Sequence, residues 1–387
     1  MLMKNLFTLL ALSCIALAGC SKNESKSDGP QDPDTPPVVP KESVLYAVGQ
    51  DAVVGKYIYY AAVWRNGEES LLTDGSNDAF CNAVCADDND NIYIVGCEAV
   101  GDLVDDGYYE PYKQNVGILW KFNDKTPAQV ERSVLSDGKS ATSPIAVAVS
   151  KGNVHIAGFD TPGYNRRVLY WKNGEMQVLT DGSTDALAYC ICVDGDDVYI
   201  GGYVQPATNT QGGVATIWKN GVAQSLTDGQ TVAKVNALYM DNGTLYAAGA
   251  EKVSGGRWKG VLWANGARVK DFTGEVGTEV SGLYVKDGNY IIEGNMTETS
   301  SANDICPYIW TKDGAQKVAS GLSMCQGMAL AVDGDDIYVA GNAYNMDMST
   351  YEEFYTAYLW KNGEAQSFTT VSNDNTIWAM TIAHISK

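Results

Sequence analysis

"VYIGG" at Val198–Gly202, followed by "ATIWKNGVAQSLTDG" at Ala215–Gly229, is a pattern the chain writes repeatedly. Val154–Gly158 and Val168–Gly182 give "VHIAG" and "VLYWKNGEMQVLTDG", while Ile337–Gly341 and Ala357–Thr369 give "IYVAG" and "AYLWKNGEAQSFT". Two markers count the copies independently. A glycine closes the first run at Gly49, Gly96, Gly158, Gly202, Gly249, Gly294 and Gly341. A tryptophan closes the next at Trp64, Trp120, Trp171, Trp218, Trp263, Trp310 and Trp360. Both counts are seven, so an internal repeat covers residues 44–387.

Each copy reads as four short strands. Leu187–Val193 is an apolar run, and the turn Asp194–Asp197 leads it into Val198–Gly202. Ala215–Trp218 comes next, and Lys219-Asn220-Gly221 turns it into a fourth strand that ends at Asp228-Gly229. Asn-Gly between β-rich runs is a strong hairpin signal, because both central residues of a type I′ turn need positive φ. Helical periodicity is absent. Four antiparallel strands repeated at this spacing define a propeller blade. The expected fold is therefore all-β: a seven-bladed β-propeller of four-stranded antiparallel blades. The layout resembles that of WD-repeat propellers, although the Trp-Asp and Gly-His signatures are missing. The chain enters on a second-type strand, Val44–Gly49, and leaves on an inner-type strand, Ile377–Ile385. The C-terminal strand is thus expected to join the N-terminal blade and close the ring, which removes exposed sheet edges. Such a ring is complete as a monomer.

The first residues carry an address. Lys4 precedes a short apolar stretch, Leu6–Ala18, too short to span a bilayer and of the kind found in secretory signals. Its Leu17-Ala18-Gly19-Cys20 ending resembles the lipobox of bacterial lipoproteins. That resemblance implies a signal peptide at 1–19 and acylation of Cys20. Ser21 stands where some lipoproteins carry the Asp that retains them at the inner membrane, so the expected address is the outer membrane, facing periplasm or cell surface. Residues 20–43 hold five of the eleven prolines and no apolar periodicity, which makes them a tether.

Composition excludes some functions. The formal charge of −20 leaves no basic face for phosphates, so nucleic acid is not an expected partner. Seven of the nine cysteines remain after Cys14 and Cys20, and no Cys-x-x-Cys occurs, so buried thiols are expected in place of a zinc site. Asp87–Asn91 begins like a calcium loop, but Ile92 replaces the required glycine, so neither metal nor cofactor is expected. No Gly-x-Ser-x-Gly occurs, and the two histidines, His155 and His384, lack a catalytic setting. No catalytic residue is assigned.

Regular placement marks framework, and departures from it mark a site. The seven tryptophans are expected to fill equivalent wedges between blades. Asp74, Asp137, Asp181 and Asp228 recur after the fourth strand, where aspartate bonds its own turn. By contrast, the loops between second and third strands vary in length and are rich in aromatics. They share a face with the blade-to-blade connections, opposite the tight hairpin turns, and function concentrates on such faces. Tyr108, Tyr109, Tyr112, Tyr164, Arg166, Trp258, Tyr344 and Tyr351 are the candidate ligand-binding residues there. Trp378 joins them from the least uniform inner-strand column, otherwise Asn82, Ile145, Tyr189, Asn236, Ser281 and Met328.

These features suit a lipid-anchored envelope or cell-surface binding protein. The favoured ligand is a neutral glycan, whose C–H faces aromatic rings cover. A protein-interaction scaffold in an envelope complex is the alternative. A carboxylate-dependent glycosidase or lyase is a third, because paired acids carry no local motif.

Overall fold

The computed structural model describes residues 40–52, 58–104, 112–207, 212–253, 256–272, 277–298, 304–319, 322, 324–347, 349, 352–366, 368 and 374–387. Seven four-stranded antiparallel sheets form the blades of a propeller, and the described residues contain no helix. Blade 4 shows the pattern: Ala186–Asp194 is innermost, followed outward by Asp197–Val204, Val214–Lys219 and Val222–Ser225. Blades 2 to 7 run in chain order through residues 79–134, 141–178, 186–225, 233–272, 277–317 and 325–366. Blade 1 is composite. Its three outer strands are Lys41–Ala52, Tyr59–Arg65 and Glu68–Leu71, while the C-terminal Asp374–Ser386 supplies the inner one. Lys41 pairs with Ser386 and Ala52 with Asp374, so both ends of the propeller chain are locked in one sheet. The expected ring closure is present.

Local chemistry accounts for the repeated residues. The Asn-Gly turns have φ near 50° at Asn66, Asn173, Asn220, Asn265 and Asn362, each followed by a positive-φ glycine, as a type I′ hairpin requires. Six of the repeated tryptophans are at most 2% exposed and Trp310 is 6% exposed, which puts all seven in the core. The turn aspartates accept bonds from the backbone two residues on: Ser76 N to Asp74, Lys139 N to Asp137, Ser183 N to Asp181 and Gln230 N to Asp228. Asp87 is used the same way, accepting from the backbone N–H of Asn89 and Asn91. All seven described cysteines are buried thiols without a disulfide. His155 stacks on Tyr170 and bonds its hydroxyl at 2.7 Å, a packing role; burial, with Lys172 nearby, lowers its pKa.

The strand-closing glycine has a further cause. Every inner strand carries a β-bulge at one position: Asn82, Ile145, Tyr189, Asn236, Ser281, Met328 and Trp378. These bulges are the irregular column noted in the sequence. Opposite each lies the repeated glycine, and a Cβ there would sit 1.8–2.3 Å from an inner-strand carbonyl oxygen. No residue but glycine fits, because the bulge pushes that carbonyl into the space a side chain would fill.

Bulges also latch adjacent blades. Asn82 donates to Pro144 O (2.8 Å), and Asn236 donates to Val280 O (2.6 Å), each on the next inner strand. From the second strand, Asn295 brackets Gly327 and Asn342 brackets Ile377, each amide donating to the carbonyl and accepting from the N–H at 2.8–2.9 Å. One seam holds an ionisable group. Glu293 of blade 6 is fully buried against Gly327 of blade 7; Ser281 donates to its Oε2 at 2.7 Å, and Oε1 has no partner among the described residues. Burial pushes this carboxyl up to about 7, and the Ser281 bond only partly opposes that.

Candidate functional site

Inner strands begin, and second strands end, on the face that carries the blade connections and the second-to-third-strand loops. Each bulge lies a few residues into its inner strand, so the seven bulged residues lie close to this face. The chain enters blade 1 at Lys41, on the opposite face with the hairpin turns.

Departures from the repeat converge on this loop face across blades 3 to 6. Arg166, at the end of the blade 3 loop, reaches Asp185, which immediately precedes the blade 4 inner strand. Its Nε bonds Oδ1 at 2.8 Å, its backbone N–H bonds the same oxygen at 3.0 Å, and Nη2 also donates to Tyr203 OH at 2.9 Å. Tyr203 in turn donates to Asp185 at 2.6 Å. Burial acts against the Asp185 carboxylate, but the Arg166 and Tyr203 bonds prevail and hold it below its ordinary range. Burial and the Asp185 bond push the Tyr203 phenol up.

The network continues inward and sideways. Tyr203 stacks on the bulged Tyr189, with centroids 6.1 Å apart. Over the Tyr189 ring, at 5.6 Å, lies the buried ammonium of Lys234, which is ion-paired with Glu279 of blade 6. Lys234 and Glu279 occupy the same repeat position in adjacent blades, two residues before their bulges. The Lys234 ammonium also lies 5.0 Å from the Trp258 ring centre, and that of Lys252 lies 5.5 Å from it. Trp258, half-buried, starts the third strand of blade 5 and flanks Gly277 of blade 6. Thr278, next in that seam, is buried with Oγ1 unpartnered among the described residues.

The nominated residues thus fall into separate groups. Arg166 and Trp258 belong to one connected cluster, through Tyr203, Tyr189 and Lys234. Tyr344 belongs to another at the seam of blades 7 and 1, edge-on to Tyr355 at 5.8 Å, whose backbone N–H bonds Asp374. Trp378 is the bulged residue of blade 1, half-buried, with its indole N–H buried and unpartnered among the described residues. Tyr112 is exposed on a two-stranded ribbon, Leu103–Val104 with Tyr112–Lys113, that rises from blade 2. Tyr164 is fully exposed at its loop tip. Cys20, Tyr108, Tyr109 and Tyr351 lie outside the described residues. Asp185, Tyr203, Lys234, Lys252 and Glu279 were not nominated from sequence. Their signal was present for Lys234 and Glu279, a cation and an acid in one repeat column, but it required reading neighbouring copies as a pair.

The architecture defines the class, a closed seven-bladed β-propeller. No family model matches the chain, and no curated protein matches it. Among solved structures, puromycin hydrolase is similar with a TM-score of 0.55 at 11% identity, over 84% of this chain and 51% of that one. Acylaminoacyl peptidase of Pyrococcus horikoshii has a TM-score of 0.48 at 12% identity, over 84% of this chain and 50% of that one. The β-propeller domain of the Trilobed protease from Pyrococcus furiosus has a TM-score of 0.38 at 13% identity, over 76% and 97% respectively. The chain spans about half the length of the two hydrolases. At these identities the likeness is one of fold.

Proposed function

We propose that the protein is a carbohydrate-binding propeller, anchored to the bacterial envelope through acylated Cys20, that takes its ligand on the loop face over blades 3 to 6. The observation that carries this is the Arg166–Asp185–Tyr203–Tyr189–Lys234–Trp258–Glu279 cluster. Its half-buried rings, Tyr203 and Trp258, offer apolar faces, and its paired charges hold hydrogen-bonding atoms in fixed positions, the combination that recognises a sugar's C–H face and hydroxyls. Arg166 with Asp185 and Lys234 with Glu279 are each compensated, so these groups act as donors and acceptors and not as a net field. The sequence alone favours a neutral glycan. Entry of the chain at the opposite face supports the reading, since a tether there leaves the loop face open to solution.

A glycan-array screen of the full chain beside Trp258→Ala tests the proposal. Binding to a sugar class that the variant loses supports it, and an empty array overturns it.

A second reading, a protein scaffold within an envelope complex, draws on exposed apolar side chains of blades 7, 1 and 2 on the same face: Met346, Tyr59, Val100, Leu103 and Tyr112. It predicts a stable partner after mild detergent extraction.

A further inference from the structure

Beside Trp258 lies a lysine, Lys252, with no carboxylate partner among the described residues, unlike the cations around it in the cluster. Lys234 is buried and ion-paired with Glu279. Arg166 is paired with Asp185. Glu251, the neighbour of Lys252 in sequence, is taken by Arg268 at 2.8 Å and Lys259 at 3.8 Å, and Asp271 is taken by the same two cations. The Lys252 ammonium has no carboxylate partner among the described residues. Its interaction is with the ring of Trp258, the residue it faces across the strand pair. In a chain of net charge −20, this half-exposed cation rests on an aromatic ring within the ligand cluster.

We infer that the ligand is a uronic-acid glycan: a sugar ring lies on Trp258 and its carboxylate pairs with Lys252. This rests on the carbohydrate reading above and replaces the neutral ligand that composition alone suggested. First, a sugar ring stacking on Trp258 must compete with the ammoniums already over it, and only Lys252 is free to yield, since Lys234 is buried and held by Glu279. Second, displacing Lys252 forfeits its cation–π contact, about 0.5–1 kcal/mol at an exposed site. A neutral sugar gives nothing back for that loss, whereas a carboxylate restores it with a charge-assisted hydrogen bond. Third, Arg166 and Lys234 in the same cluster are each paired with a carboxylate, so Lys252 selects a carboxylate at one position, while the chain's acidic excess repels polyanions that lack the matching ring.

Affinity electrophoresis of the full chain tests this, in gels carrying pectate, alginate, fully methyl-esterified pectin, or galactan, with dextran sulfate as a polyanion lacking uronate. The proteins are wild type, Lys252→Met, Lys252→Arg and Trp258→Ala, with thermal melting to confirm that each is folded. Retardation of the wild type by pectate or alginate and not by esterified pectin is expected. Lys252→Met, which keeps the apolar stem, should lose about fivefold or more in apparent affinity, Lys252→Arg should recover most of it, and Trp258→Ala should lose it altogether. Retention on the neutral gels that Lys252→Met leaves unchanged overturns the uronate inference while the carbohydrate reading stands. Equal retention by dextran sulfate also overturns it, as charge without recognition. Retention on none of the gels overturns both.

Discussion

Replacing Glu293 by Gln should change how stability depends on pH far more than it changes the fold. The carboxyl is wholly buried in the seam between blades 6 and 7, with one bond from Ser281 and an Oε1 that is unpartnered among the described residues. Its pKa rises from 4.5 to about 7 on folding, chiefly through burial. Below pH 4.5 the group is protonated in both folded and unfolded chains and contributes no pH dependence. Between pH 4.5 and 7 the unfolded chain releases the proton and the folded chain keeps it, so stability falls as pH rises, by at most about 1.4 kcal/mol per unit. The accumulated loss is about 3 kcal/mol and levels off above pH 7. Glu293→Gln, neutral and nearly isosteric, removes this dependence. His155, whose pKa is lowered by burial, works in the opposite sense as pH falls below its ordinary 6.5, and it is common to both proteins and cancels in their difference. Carboxylates with depressed pKa, such as Asp185 and Asp124, lose their contribution below about pH 4, outside the window. Urea unfolding of both proteins at pH 5, 6, 7 and 8 provides the assay. The variant should gain about 2.5 kcal/mol relative to wild type between pH 5 and pH 8. A difference that stays constant over that range, within about 0.5 kcal/mol, refutes the reasoning.

Three other outcomes follow from the same contacts. Gly202→Ala puts a methyl 1.9 Å from Leu187 O and should cost about 3 kcal/mol or more, whereas Gly163→Ala, with nothing within 4 Å, should be near neutral; thermal melts of the two decide it. Asn342→Ala leaves the N–H and C=O of Ile377 without their partner in the seam that closes the ring, and should lower stability by about 2–4 kcal/mol in urea titration. Arg166→Lys loses the two-pronged contact with Asp185, so affinity for any glycan that binds the loop face should drop about tenfold while the melting temperature stays within a few degrees, as titration calorimetry and melts would show.

The propeller was legible because its markers are driven by local chemistry that every copy must satisfy. Asn-Gly turns need positive φ, wedge tryptophans need the same gap, and the glycines need absence of a side chain, so the copies kept one residue at each place. The site was less legible for the same reason. Tyr189 stands in the bulge column, where the partners differ from copy to copy: Tyr189 stacks on Tyr203 and Ser281 bonds Glu293 within their own blades, while Asn82 and Asn236 reach the next one, so the column looks random. The blade latches come from two different repeat positions, Asn82 and Asn236 at the bulge but Asn295 and Asn342 one strand outward, so they leave no column at all. Arg166 and Trp258 could be picked out as aromatic-face residues, yet nothing in the sequence connected them. Their link runs through Asp185, Tyr203 and Lys234, which belong to two different blades and meet only when blades 4 and 5 pack. Tyr344, nominated with them, settles at another seam. Glu293 was a visible oddity, an acid where other copies carry Val48, Val95, Ala157, Gly201, Ala248 and Ala340, but its meaning depends on burial.

The placement of the ligand over blades 3 to 6 is the claim on which the functional account turns, and comparing glycan affinity of the full chain with that of Trp258→Ala and Tyr344→Ala tests it most directly. The account predicts a loss of tenfold or more, about 1.4 kcal/mol, for Trp258→Ala, and a change of less than about twofold for Tyr344→Ala. Unimpaired binding by Trp258→Ala, or a larger loss for Tyr344→Ala, would contradict it and move the site to the seam of blades 7 and 1.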